Sequence, residues 1–260
     1  MKPAFSVTDS THIQKIEAEG LKLLNELQSF IPLLQEKVTI LSPPKGIVFH
    51  DLESATQVYS NIPMPAYTSR DLIHITSLID VWKNIYLSVT DGKELEKAQQ
   101  YYKQLNILDI ATIAAHEFVH HAEEFHSDFD EIDEESMWFE EGVCFYLSRK
   151  LMMSHEQFKT IMQIEDELIS IYQAEFSNYP LNEFGKSAES GSYAGAFYDY
   201  WRSTKLIRIL VEQYFNNDIQ ALFSCYHEWV EIKEQISLHA FFVQKLSLSP
   251  LHAKELGLLS

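Results

Sequence analysis

Between Ile13 and Leu34 apolar residues return at three- and four-residue steps with some slippage, at Ile13, Ile16, Leu21, Leu24, Leu27, Ile31 and Leu34. That period predicts an amphipathic helix, opened by the capping residues Asp9, Ser10 and Thr11 and bent near Pro32. The period then changes. "KVTIL" (37–41) and "GIVFHD" (46–51) are short apolar runs separated by "SPPKG", which predicts two strands joined by a Pro-Gly turn. "YTSRDLIHITS" (67–77) predicts a strand with a polar lead-in, and "NIYLSV" (84–89) another. Residues 37–90 therefore read as a small, mostly antiparallel sheet.

From about residue 93 the helical period takes over. It covers "DGKELEKAQQYYKQLN", "ILDIATIAAHEFVHHAEEF" (107–125), "SMWFEEGVCFYLSRKLM" (136–152) and "SHEQFKTIMQIEDELISIYQAEF", then three further helical stretches from Tyr193 onward. The pattern predicts an α+β chain. Residues 1–107 supply a helix and the sheet, residues 108–260 a helix-rich part, and the two together form one compact unit.

Apolar residues make up 46% of the 260 positions and charged residues 22%, which permits a buried core. The formal net charge of −18, with no basic stripe, argues against nucleic acid and anionic membrane surfaces as partners. No apolar run approaches a membrane span, and "MKPAFSVTDSTHIQKIEAEG" has no apolar leader core, so a cytoplasmic protein is expected. Cys144 and Cys225 both lie in apolar helical patterns and read as packed thiols.

The chemistry concentrates in "IAAHEFVHHAEEFH" (113–126). His116 and His120 are four apart, so on a helix they project from one face and two imidazoles can reach one metal ion. Glu117 beside them is placed to accept a proton from a water on that ion. The H-E-x-x-H pattern is the zinc-ligand and general-base signature of metallopeptidases. Buried histidines and a glutamate need partners or a metal in any case, because an apolar helix supplies none. Two residues compete for the third ligand. Glu141 in "WFEEG" lies on the next predicted helix. His126 would complete the longer histidine motif only if position 123 were glycine, and Glu123 stands there. A continuous helix would also turn His126 away from His120, which favours Glu141.

"HEFVH" followed by "MWFEEGVCFYLS" resembles the gluzincin zinc metallopeptidases, in particular the aminopeptidase-N-like and peptidase MA-like branch. The resemblance covers roughly residues 65–215 and is concentrated in the two motifs. It implies a zincin-like arrangement, with a small sheet whose edge strand borders the cleft, and here "TSRDLIHITS" is expected as that edge. It implies His116, His120 and Glu141 as zinc ligands and Glu117 as the base. "SYAGAFYDYW" resembles the tyrosine-bearing helix of the same families, which makes Tyr193 the expected oxyanion partner. There are departures. The gap to Glu141 is slightly long, no G-x-M-E-N-like segment supports aminopeptidase activity, and Phe145 occupies the place of thermolysin's supporting aspartate.

The expected function is a zinc-dependent hydrolase acting on peptide bonds, with a peptide or protein as substrate. The alternatives are a non-catalytic metal-binding protein that keeps the site, or a metzincin-like protease using His126. His121 is expected as a polar neighbour and His227 as another possible proton donor. The acidic segment 128–135 reads as a solvated loop, or as a cleft rim that selects basic peptides.

Overall fold

The computed structural model describes residues 1–60, 63–129 and 133–259. Contacts between residues group the chain into two units, Met1–Glu123 with Leu147–His155, and Glu124–Tyr146 with Glu156–Ser260. Among the described residues no helix is long and apolar enough to cross a membrane.

The first unit contains β1 (Lys2–Ser6), α1 (Ile13–Gln35), β2 (Gly46–His50), β3 (Ala66–Thr68), β4 (Leu72–Thr76), α2 (Ile79–Ser88), α3 (Glu96–Lys103) and α4 (Ile107–Val119). Its sheet has the order β1-β2-β4-β3. β1 pairs with β2 and β2 with β4 in parallel, and only β3 with β4 is antiparallel. The sheet is thus mixed rather than mostly antiparallel, and the reason is local. Residues 37–41 form no strand and instead lead out of α1, with Val38 buried. β2 pairs instead with Lys2–Ser6, a segment too short and too weakly alternating to be legible. A parallel pair needs a crossover, and α1 supplies it.

Two further expectations change. "YTSRDLIHITS" is a hairpin, turned where the Ser69 N–H donates to the Leu72 carbonyl at 2.9 Å. β4 is therefore an inner strand, and the edges are β1 and β3. "NIYLSV" belongs to α2, because Trp82, Ile85 and Val89 recur at three- and four-residue steps and are buried together.

One sheet face carries Ile47, Phe49, Ile73 and Ile75, all fully buried. α1 lies tightly on it. A Cβ at Gly20 would stand 2.8 Å from the Phe49 ring, so only glycine fits there. α4 packs on α1 and on β3 and β4.

The second unit contains most of α5 (Met137–Met152), then α6 (His155–Phe176), α7 (Tyr193–Ile209), α8 (Ile219–Val230), α9 (Leu238–Lys245) and α10 (Pro250–Glu255). Aromatic rings fill its interior. Phe139 stacks on Tyr226 at 4.3 Å and on Phe242 at 6.0 Å. The loop before α7 is tied down by Asp199, which is buried and accepts from the Tyr179 hydroxyl, the Gly185 N–H and Arg202.

Candidate metal centre

α4 is a helix capped by its own sequence. The Asn106 side chain accepts the Leu108 N–H at 2.9 Å, and Asp109 reaches back to the Asn106 N–H at 2.9 Å. Residues Ile110 to Val119 are all buried. The helix does not run on to Phe125 as its sequence suggests. It ends at Val119, with the His121 N–H bonded to the Phe118 carbonyl and the Ala122 N–H to the Val119 carbonyl, short-span bonds that tighten a last turn. His116, Glu117 and His120 therefore occupy the C-terminal turn, where the helix dipole is negative and favours a cation.

The two imidazoles converge. His116 Nε2 and His120 Nε2 stand 3.3 Å apart, with the ring planes at 82°. Two nitrogens at about 2.0–2.1 Å from a tetrahedral ion would stand roughly 3.3–3.4 Å apart, so the spacing fits a shared metal. One ligand atom each from His116, His120 and Glu141 lies within 4.8 Å of the others. Two nitrogens and a carboxylate oxygen are a zinc-type donor set. His116 and Glu117 are buried, while His120 and Glu141 are partly accessible.

Glu140 and Glu141 are neighbours on α5 with different surroundings. Glu140 Oε1 accepts from Ser127 Oγ at 2.8 Å, from Ser136 Oγ at 2.8 Å and from the Tyr226 hydroxyl at 3.2 Å. It pins the segment leading into α5, and burial together with the Glu140 charge pushes the Tyr226 phenol well up. Gly142, next along, lets α7 come close. A Cβ there would meet the Ser203 carbonyl oxygen at 2.7 Å and Ile207 at 2.6 Å. Glycine inside a helix is costly, so "EEG" already carried a sign of close approach.

The same contact fixes the register between α5 and α7. Gly142 lies against Ser203, and the Phe145 ring packs edge-on against Tyr200 at 5.6 Å. Tyr193 is ten residues before Ser203, about 15 Å of helix axis. It stacks on Phe197. Tyr200 packs on Phe145, which stands one turn after Glu141 on α5. Tyr200 belongs to the same "SYAGAFYDYW" segment as Tyr193.

The remaining histidines have other tasks. His121 bonds through Nε2 to Thr68 Oγ1 at 3.1 Å and through Nδ1 to the Ser42 carbonyl at 3.3 Å, tying the end of α4 to β3. Burial pushes its pKa down to about 4. His227 Nε2 donates to the Glu124 carbonyl at 2.8 Å. His126 is exposed, and its N–H bonds to the Tyr226 hydroxyl. It is not part of the ligand group found among the described residues. Residues 130–132 of the acidic segment lie outside the described residues. Of the rest, Asp133 pairs with Lys233 at 2.9 Å.

A recess of about 540 Å³ is lined by Met137 and Glu134 on one side and by Asn182, Phe184, Lys186 and Glu189 on the other. Met137 is one turn before Glu141 on the same face of α5. Compared with protein-family models, with curated proteins and with solved structures, the chain matches none.

Proposed function

We propose that the protein is a zinc-dependent hydrolase of peptide bonds, of the gluzincin type. The observation that carries this reading is the approach of the His116, His120 and Glu141 ligand atoms to within 4.8 Å of one another. The 3.3 Å Nε2 separation supports it further. A zinc ion held by these three residues would supply Lewis acidity to a water and to a substrate carbonyl.

The chain's own residues do the rest. His116 and His120 present neutral imidazole nitrogens from the negative end of α4, which strengthens their hold on a cation. Glu117 takes a proton from the attacking water at a carboxylate oxygen and returns it to the leaving amine nitrogen. Tyr200, packed on Phe145 one turn from Glu141, donates its phenol hydrogen to the developing oxyanion, with Tyr193 at the start of α7 as the other candidate. Glu140 does not ligate. Spent on Ser127, Ser136 and Tyr226, it holds the start of α5 in place and so sets where Glu141 points.

The test pairs two measurements on purified protein, metal content per chain and cleavage of a quenched peptide library with and without chelator. Chelator-sensitive cleavage with one bound ion supports the reading. A chain that binds no divalent ion overturns it, and one that binds an ion without any turnover leaves a metal-binding protein instead.

A further inference from the structure

The sheet has a second face, turned away from α1, and it is polar. β2 and β4 pair in parallel with His50 beside Thr76 and Val48 beside His74, so His50 and His74 project from the same side. His50 Nε2 and His74 Nδ1 are 2.9 Å apart and hydrogen-bonded. On its other side His50 Nδ1 meets Ser54 Oγ at 3.0 Å, and Ser54 Oγ meets Ser6 Oγ of β1 at 2.9 Å. Tyr67 of β3 stacks on His74 at 4.8 Å, and Tyr59 stands edge-on to His50 at 4.8 Å. The Tyr67 hydroxyl donates to the Ala55 carbonyl. Both histidines are buried, and the Thr76 hydroxyl beside them is buried without a hydrogen-bond partner.

The segment from Asp51 to Tyr59 covers this face. It includes a π-helical turn at Ser54–Val58, and it presents Leu52, Val58 and Tyr59 to solvent. What holds it down is the chain of bonds from Ser6 through Ser54 and His50 to His74, together with the Tyr59 and Tyr67 rings. That chain contains one hydrogen between the two facing ring nitrogens. A first added proton puts a charge among aromatic rings and hydroxyls. A second puts hydrogens on both facing nitrogens and breaks the bond.

Asp51 is the neighbouring carboxylate whose charge favours a proton on His50, a smaller effect than burial and the His74 charge. It accepts from the Thr8, Asp9 and Ser54 N–H groups. Burial works against the Asp51 charge, yet those three N–H groups hold its carboxyl below the usual range. His12 of the turn before α1 approaches Asp51 at 3.7 Å, and Glu53 accepts from the Thr8 hydroxyl. Burial raises the Tyr67 phenol above its ordinary value.

We propose that the His50–His74 pair is an acid-operated latch: neutral, it clamps the 51–59 segment onto the sheet, and protonated, it releases that segment and bares the polar face. The direction follows from linkage. Burial first, and then the His74 charge, push His50 down from 6.5 to about 4, and burial lowers His74 too. A histidine depressed in the closed state binds fewer protons there than in the open state. The closed state is therefore fully favoured above pH 6.5, and the preference is lost as pH falls from 6.5 toward 4.

The latch is independent of the metal centre, since His50 and His74 lie on the face turned away from α1 and α4. The experiment is hydrogen exchange of the full chain from pH 8 to pH 5, corrected for intrinsic rates, with and without chelator. From the His50 values alone, the opening constant for peptides covering 46–60 and 66–76 should rise about 30-fold between pH 8 and pH 5. Peptides of α6, in the other unit, should not change. His50→Gln with His74→Gln keeps polar partners that do not titrate, and it should flatten the rise. Should that double variant fail to fold, an NMR titration of the two rings in the parent chain decides. Rings that titrate near 6.5 while 51–59 stays protected overturn the latch, as does an exchange profile that is flat in the parent or unchanged in the double variant.

Discussion

Two pairs of histidines lie in the first unit, and they differ in everything except residue type. His116 and His120 come from one helical turn, meet through Nε2 atoms 3.3 Å apart, and have a Glu141 carboxylate oxygen within 4.8 Å. His50 and His74 come from neighbouring strands, meet through unlike nitrogens at 2.9 Å, and are surrounded by hydroxyls and phenols. The first spacing suits a metal between the rings, and the second suits a proton between them. Geometry and the nearest carboxylates, rather than the presence of imidazoles, decide which pair can hold a cation.

The largest test of that contrast removes a carboxylate from the first pair. Glu117→Gln should lower kcat by about 10²–10⁴-fold while metal content stays at one ion per chain. Unchanged turnover would remove Glu117 as the base. Tyr200→Phe comes next, with an expected loss of about 10²–10³-fold in kcat for a missing oxyanion donor, against little change for Tyr193→Phe. The reverse ranking would show that the register of α7 on α5 misleads.

Metal titration separates the carboxylates and the two pairs. Glu141→Gln should weaken zinc binding by at least about tenfold, as should His116→Ala. Glu140→Gln, His126→Ala and the His50→Gln/His74→Gln variant should bind zinc as the parent does. Zinc lost on changing His126 would revive the three-histidine alternative. The smallest effect is one of packing. Gly142→Ala forces a methyl into the Ser203 backbone and should cost about 1–3 kcal/mol, read from the denaturant midpoint at constant slope.

How much of this was legible depends on the range over which each feature is determined. The period of α1 is local, and that helix appears where it predicts. The H-E-x-x-H spacing fixes two rings on one face for the same reason. The sheet was misread because pairing is not local. β1 lies more than thirty residues from its partner β2, and nothing in "KPAFS" announces it. "NIYLSV" fits either period over so few residues, and only the burial of Trp82 with Ile85 decides it. The end of α4 at Val119 is likewise invisible, because "HHAEEF" carries good helix formers. The chain turns there because the Glu123 N–H bonds to the Thr39 carbonyl and His121 to Thr68 and Ser42.

By itself the sequence determined which residue types stand one helical turn apart, where several helices start, and that the chain carries an acidic, core-forming composition. These follow from short-range spacing and from totals. The tertiary structure alone decided that Glu140 is spent on hydroxyl donors. It also decided that Tyr200 packs on Phe145, one turn from Glu141, and that His50 and His74 are hydrogen-bonded. Each of those depends on which side of a helix or sheet meets which neighbour, and that is set by contacts between residues far apart in the chain.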